Sequence, residues 1–245
     1  MGDMGSECST MFMNTMPPRP TIAFDLDGTL IDSAPDLVTA LNVVLAEAGF
    51  GPVGLQHARN LVGGGARLMI ERGLAQHGAK FSPAETDQML ARFLAYYEHH
   101  IADHSRPFPD AKIVLEELVR AGANLLVCTN KLERYSVKLL DAMGLASYFS
   151  MVAGADTFPV RKPDPGHLLL AIERAGGDPA AAVMVGDSRP DVATARAAGI
   201  PVIVVSFGYS DVPPAELEGD RLVDRLAEVP AAAAALLGAR HRSSA

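Results

Sequence analysis

The sequence predicts an α/β fold, a parallel sheet covered by helices and interrupted once by an all-helical insert. Three observations carry this reading. Short apolar runs recur along the chain, helix-period segments separate them from residue 108 onward, and the stretch from Ser33 to Ser105 has helical periodicity but no strand.

Residues 1–19 mix Met, Gly, Ser, Thr and Pro without periodicity and are expected to form a flexible extension. Thr21 to Phe24 is a wholly apolar or β-branched run that ends at Asp25, Asp27 and Gly28, as expected for a buried strand delivering side chains to a loop. Four later runs resemble it: Leu125–Cys128, Met151–Ala153, Ala182–Val185 and Val202–Val205. Between them, apolar residues three and four apart (Val114, Leu115, Leu118, Val119; Val137, Leu140, Met143; Leu168, Leu169, Ile172) predict helices. An alanine-rich helix is expected after Pro230, ending near Gly238. The expected division is a core over 20–32 and 106–245 and a helical cap over 33–105. Because the insert follows the loop of the first strand, it is placed over the carboxyl edge of the sheet, where ligands of such folds bind.

Composition narrows the function. The formal charge of −8, with acidic residues outnumbering basic ones and no basic cluster, argues against nucleic acid as a partner. No segment supplies ~20 uninterrupted apolar residues for a membrane span. Two cysteines, Cys8 and Cys128, lack the spacing of a zinc site or a disulfide framework. A cytoplasmic protein, monomer or homodimer, is the expectation.

Asp25 and Asp27 taken alone admit two readings: a carboxylate pair aimed at one ligand, or a turn in which Asp27 caps and Asp25 accepts backbone hydrogen bonds. The ends of the other runs bear on the choice. Thr129-Asn130 follows the second, Arg161-Lys162-Pro163 comes after the third, and Gly186-Asp187-Ser188 with Asp191 follows the fourth. All fall on one edge of the predicted sheet. In the insert, Gly63-Gly64-Gly65 and Arg67 stand out. They read either as a loop placing Arg67 near a substrate carboxylate or as an ordinary turn with a solvated charge.

With DLDGTL at Asp25–Leu30, Thr129-Asn130, Lys162 in RKPDP and GDSRPD at Gly186–Asp191, the chain resembles the haloacid dehalogenase-like superfamily. Within it, the chain is similar to the phosphoglycolate phosphatases. The resemblance implies a three-layer, Rossmann-like core with an inserted helical cap. It implies an Mg²⁺-dependent phosphatase acting on a small phosphorylated metabolite, with 2-phosphoglycolate favoured over sugar phosphates, nucleotides or pyrophosphate. A sugar phosphomutase and a non-catalytic phosphate-ligand binding protein are the further alternatives.

By the same resemblance Asp25 is the nucleophile and Asp27 the general acid and base, a double role that calls for a raised pKa. Thr129 and Lys162 complete the catalytic set. Asp25, Asp187, the Asp27 backbone and Asp191 are the metal group, Asp191 being read equally well as a helix N-terminal residue. Gly28, Asn130, Gly64 and Arg67 are the substrate-binding candidates. Asp27 counts against true dehalogenases. Lys80, the insert's only lysine, sits in an apparent loop and does not suit a Schiff base.

Overall fold

The computed structural model describes residues 19–57 and 61–243. The expected extension therefore lies outside the described residues except for Arg19, whose Nε donates to the Gly122 carbonyl at 3.0 Å.

Six strands form one parallel sheet: β1 (Thr21–Phe24), β4 (Asn124–Cys128), β5 (Met151–Ala153), β6 (Ala182–Gly186), β7 (Val202–Val205) and β8 (Arg221–Val223). Their order is β5-β4-β1-β6-β7-β8. β1 lies at the centre, with Phe24 in register with Val127 on one side and Val185 on the other. Chain connections from β1 and its neighbours diverge there, so a crevice opens at the carboxyl ends of the central strands. Strands covered on both faces read as continuous apolar runs, which is why β1, β6 and β7 are so plain in the sequence.

Alternate residues of each strand enter different cores. Ile22, Phe24, Leu125, Val127, Val183 and Val185 pack toward α4 (Ala111–Arg120), α5 (Glu133–Ala142) and α8 (Val229–Ser243). Ala23, Leu126, Cys128, Met184 and Val204 face α6 (Pro165–Arg174) and α7 (Arg189–Ala197). These are the three expected layers.

The chain leaves and re-enters this core through a two-residue antiparallel ribbon. β2 (Ile31–Asp32) pairs with β3 (Arg106–Pro107), Asp32 opposite Arg106. Between them lie α1 (Ala34–Glu47), α2 (Ala66–Gln76) and α3 (Pro83–His99). α3 begins with a capping box in which Ser82 and Glu85 satisfy each other's backbone N–H groups. α1 and α2 approach closely at Gly73, where an added Cβ would stand 3.0 Å from the methyls of Leu41.

Some expectations are corrected. Val119 and Val137 are exposed, so the buried faces of α4 and α5 are turned toward Val114, Leu115 and Leu118 and toward Tyr135, Ser136, Leu139 and Leu140. β8 was not foreseen because two of its three residues face solvent. α8 continues past Gly238 to Ser243, since one glycine in a helix interior costs only about 1 kcal/mol.

Both crossings are clamped by one buried side chain. Asp36 in α1 accepts from the backbone N–H of His104 at 2.9 Å, and from the N–H and hydroxyl of Ser105 at 2.8 and 2.6 Å. Removing a buried acceptor strands its donors. Asp36→Ala is therefore expected to lower the free energy of unfolding in urea by about 2–4 kcal/mol. A loss below about 0.5 kcal/mol, the range of ordinary surface substitutions, would show that the clamp carries no stability.

Candidate active site

Asp25 is the first residue beyond β1, and its N–H donates to Val185 O at 2.9 Å, so its position is fixed by the sheet ladder itself. The loop that follows is tight: Leu26 O accepts from Leu30 N and Ile31 N, both at 3.0 Å. Gly28 sits at φ +91°, and a Cβ there would collide with the Asp187 carboxylate and the Tyr209 ring. Gly28 thus makes room for Asp187; it is not on the wall of the cavity described below.

Asp187 follows β6 and is buried. Its Oδ1 accepts from the Thr29 hydroxyl at 3.1 Å and its Oδ2 from Tyr209 N at 2.6 Å. Asp191, in the first turn of α7, uses both carboxylate oxygens. Oδ2 accepts from Ser188 Oγ (2.6 Å), Ser188 N (3.0 Å) and Asp187 N (3.2 Å), and Oδ1 holds Lys162 Nζ at 2.5 Å. Both readings of Asp191 therefore meet in one side chain, which caps a helix and faces the carboxylate cluster.

Lys162 is 3% exposed and stands between Asp191 and Asp25, whose Oδ1 it approaches to 3.0 Å. That Asp25 oxygen is buried and accepts no well-aligned hydrogen bond. Burial, and then Asp191, push the Asp25 carboxyl up to about 6 against the opposing pull of Lys162. Asp187 is raised well above the ordinary range by burial, Asp191 and Asp25. For Lys162, burial works to lower the pKa, but Asp191 and Asp25 outweigh it and the ammonium is held above its usual value. Cys128 behind them is a buried thiol pushed up to about 12 by desolvation, which makes it inert.

Carboxylate oxygens of Asp25, Asp187 and Asp191 lie within 4.8 Å of one another. Three buried carboxylates facing one lysine leave an excess of negative charge. With an Asp25 oxygen that has only its ion pair with Lys162 and an all-oxygen donor set, the cluster fits a hard divalent cation. The Asp27 side chain is not part of it.

Asp27 faces elsewhere. Both its oxygens are 3.0 Å from Lys131 Nζ, and Oδ1 also accepts from the Ser33 hydroxyl at 2.5 Å. Ser33, at the N-terminal boundary of α1, spends its hydroxyl on Asp27 rather than on the helix. Lys131 was missed in the sequence. It is buried, and although burial lowers its pKa, Asp27 and the nearby Tyr97 raise it further. The adjacent pair Thr129-Asn130 marked the position, but nothing in the local pattern announced a lysine turned inward.

Above these residues lies a cavity of ≈ 400 Å³. Asp25, Asp27, Thr129, Asn130 and Lys131 line its floor, while Gly64, Arg67, Phe93 and Tyr97 come from the inserted helices. Lys162, Asp187 and Asp191 stand behind the floor. The glycine loop spans the two sides: Gly63 and Gly65 take φ +106° and +89°, and an added Cβ would lie 3.7 Å from Ser188 and 3.4 Å from Asn130 O respectively. Arg67 reaches the cavity wall, but its guanidinium is ion-paired with Asp87 of α3. His57, His77 and His99 are exposed and His100 is half-buried, while Lys80 is in a loop, as the sequence implied.

An α/β sheet whose central strands end in a buried carboxylate cluster, with a further aspartate on the cavity beside it, fits the class of a metal-assisted hydrolase. The chain belongs to the haloacid dehalogenase-like hydrolase family, whose model matches residues 22–205. It is 47% identical to a phosphoglycolate phosphatase of Caulobacter vibrioides over 217 residues, 89% of this chain and 92% of that one. It is 46% identical to the phosphoglycolate phosphatase of Agrobacterium fabrum, over 88% and 92% of the two chains. A solved structure described as a predicted phosphoglycolate phosphatase from Haemophilus somnus superposes with a TM-score of 0.81 at 30% identity, covering 88% of this chain and 98% of that one.

A carboxyl raised on folding stabilises the protein fully below its unfolded value, and that stability is lost as pH rises through the folded value. Displacement of Asp25 from 3.8 to about 6 corresponds to ~3 kcal/mol lost at pH 7 in the metal-free protein. Asp187 acts in the same direction. In chelator at pH 7.5, Asp187→Asn is therefore expected to be more stable than the parent by about 2 kcal/mol. A divalent cation should raise the melting temperature of the parent and leave the variant unmoved. A variant less stable than the parent in chelator would contradict this electrostatic reading.

Proposed function

We infer that this protein is a phosphatase that hydrolyses 2-phosphoglycolate to glycolate and phosphate through an aspartyl phosphate on Asp25. The observation that carries the reading is the placement of Asp25 and Asp27 on the wall of one cavity, with Asp25 also part of the buried carboxylate cluster behind it. The substrate is supported by relatives near 47% identity across nine-tenths of the chain that are named phosphoglycolate phosphatases.

In the first step an Asp25 carboxylate oxygen attacks phosphorus as the bond to the ester oxygen breaks, and Asp27 gives its proton to the departing glycolate oxygen. In the second step Asp27 takes a proton from water as that water attacks phosphorus, and the bond to Asp25 breaks, restoring Asp25 as a carboxylate and Asp27 as the protonated acid. Thr129 and the Asn130 amide donate to the phosphate oxygens. Lys162 holds Asp25 in place and opposes its charge. Asp191 fixes Lys162 and the turn carrying Asp187, a positioning role. Asp25, Asp187 and the Asp27 backbone hold the metal, for which Mg²⁺ is proposed. When bound, Mg²⁺ supplies charge neutralisation between the carboxylates and the phosphate dianion.

The helices of 33–105 are the proposed cap over a core of 20–32 and 106–245, a division supported by the ribbon at both crossings. The cap excludes water from the acyl phosphate. No helix among the described residues is long and apolar enough to cross a membrane, and the cytoplasm is the proposed compartment.

Purified protein with Mg²⁺ should release phosphate from 2-phosphoglycolate, and Asp25→Asn should lower kcat by about 10³-fold or more. Chelation should abolish turnover, and Mg²⁺ should restore it. Phosphate release by Asp25→Asn at the parent rate would overturn the proposed nucleophile.

A further inference from the structure

The mechanism leaves the cations that line the cavity without a task, and one of them stands beside the acid-base residue. Lys162 is fully engaged by Asp25 and Asp191 behind the floor, and Arg67 is tied to Asp87 on the cap. Arg161 is an exposed side chain at the cavity margin. Lys131 is different, since it lies on the wall itself and its Nζ is 3.0 Å from each oxygen of Asp27.

In an ester of a two-carbon acid, the carboxyl carbon stands two bonds from the ester oxygen, so its oxygens lie within ~3.5 Å of that atom. Asp27 must reach the same ester oxygen to protonate it. The anion to be recognised is therefore held beside Asp27, where Lys131 is the adjacent cation.

The donor count agrees. An ammonium has three N–H donors, and two of those on Lys131 are used by Asp27. Tyr97, 1% exposed and on the same wall, has a buried hydroxyl with no hydrogen-bond partner among the described residues. Its ring centroid is 4.6 Å from Lys131 Nζ. Tyr97 also acts on the Lys131 ammonium, yet its hydroxyl makes no hydrogen bond of normal geometry, so one N–H and one O–H can turn to a group with two acceptor oxygens. Phe93, Leu90 and Leu94 make the neighbouring wall apolar, so an anion held beside them needs donors from the protein.

We propose that Lys131, with the Tyr97 hydroxyl as second donor, is the specificity-determining pair that binds the carboxylate of the substrate beside the leaving oxygen. This assignment rests on the phosphatase reading above. It adds that the acid-base residue and the substrate anion share one ammonium, so an ester lacking the anion leaves two buried donors unpaired.

The test compares 2-phosphoglycolate with ethyl phosphate, which has the same chain length and no carboxylate, in wild type, Lys131→Met and Tyr97→Phe. Wild type should favour 2-phosphoglycolate in kcat/KM. Lys131→Met should reduce that preference by about 100-fold, whatever it does to the rate on ethyl phosphate. Tyr97→Phe, a smaller change that keeps the ring packing, should reduce it by about 10-fold. Glycolate should inhibit ethyl phosphate hydrolysis by wild type and lose potency against both variants. If both esters fall by the same factor in the variants, Lys131 only holds Asp27 and the assignment is overturned. Wild type that does not distinguish the esters overturns it too, while leaving the phosphatase reading intact. Hydrolysis of neither ester by wild type removes that reading and this one together.

Discussion

Lys162, set between Asp25 and Asp191 at the ends of β1 and β6, is the interaction around which the rest of the site is arranged. Two like charges ~4 Å apart repel by roughly 4 kcal/mol at an effective dielectric of 20, and here three buried carboxylates converge. One buried ammonium offsets part of that repulsion. The remainder is why the cluster suits a divalent cation, and why the fold around it is drawn so tightly. Gly28, Gly186 and Gly208 each lie where a Cβ would strike Asp187 or Asp191. The parallel sheet provides the convergence, since neighbouring strands end at the same level with their next residues facing one crevice.

The same carboxylates are linked to the passage into the inserted helices. Tyr209 donates its N–H to Asp187, while its hydroxyl donates to Asp32 in the ribbon and accepts from the N–H of Ala34 at the start of α1. Ser33, between them, donates to Asp27. The residues that hold the cluster and those that set the root of the insert are therefore one hydrogen-bonded group. Asp36 then ties that root to the returning chain at His104 and Ser105. The insert is thus anchored at both strands of the ribbon, and its glycine loop rests over Ser188 and Asn130.

Much of this was legible in the sequence because it is local. β1, β4, β5, β6 and β7 are apolar runs, and the residues that end them carry the chemistry, so Asp25, Thr129, Lys162, Asp187 and Asp191 stood out together. What escaped depends on distance. Lys131 is an inward lysine only because Asp27, 104 residues away, and Tyr97 of the insert meet it. Tyr209 is in a loop without periodicity, and its role is set by Asp32 and Asp187. The two residues of each ribbon strand are too few for any pattern, and β8 has one buried residue in three. Arg67 lines the cavity, and the partner that holds its guanidinium is on another helix, beyond the reach of any local pattern.

The central claim, that phosphorus passes through a covalent bond to Asp25, is tested most directly by trapping that bond. Protein with Mg²⁺ and 2-phosphoglycolate, quenched in acid during turnover and mapped by peptide mass spectrometry, should carry one phosphoryl group on the peptide containing Asp25. The label should be removed by hydroxylamine, as expected of an acyl phosphate. Phosphate on any other residue, or rapid turnover with no protein-bound phosphate detected at any quench time, would contradict the account.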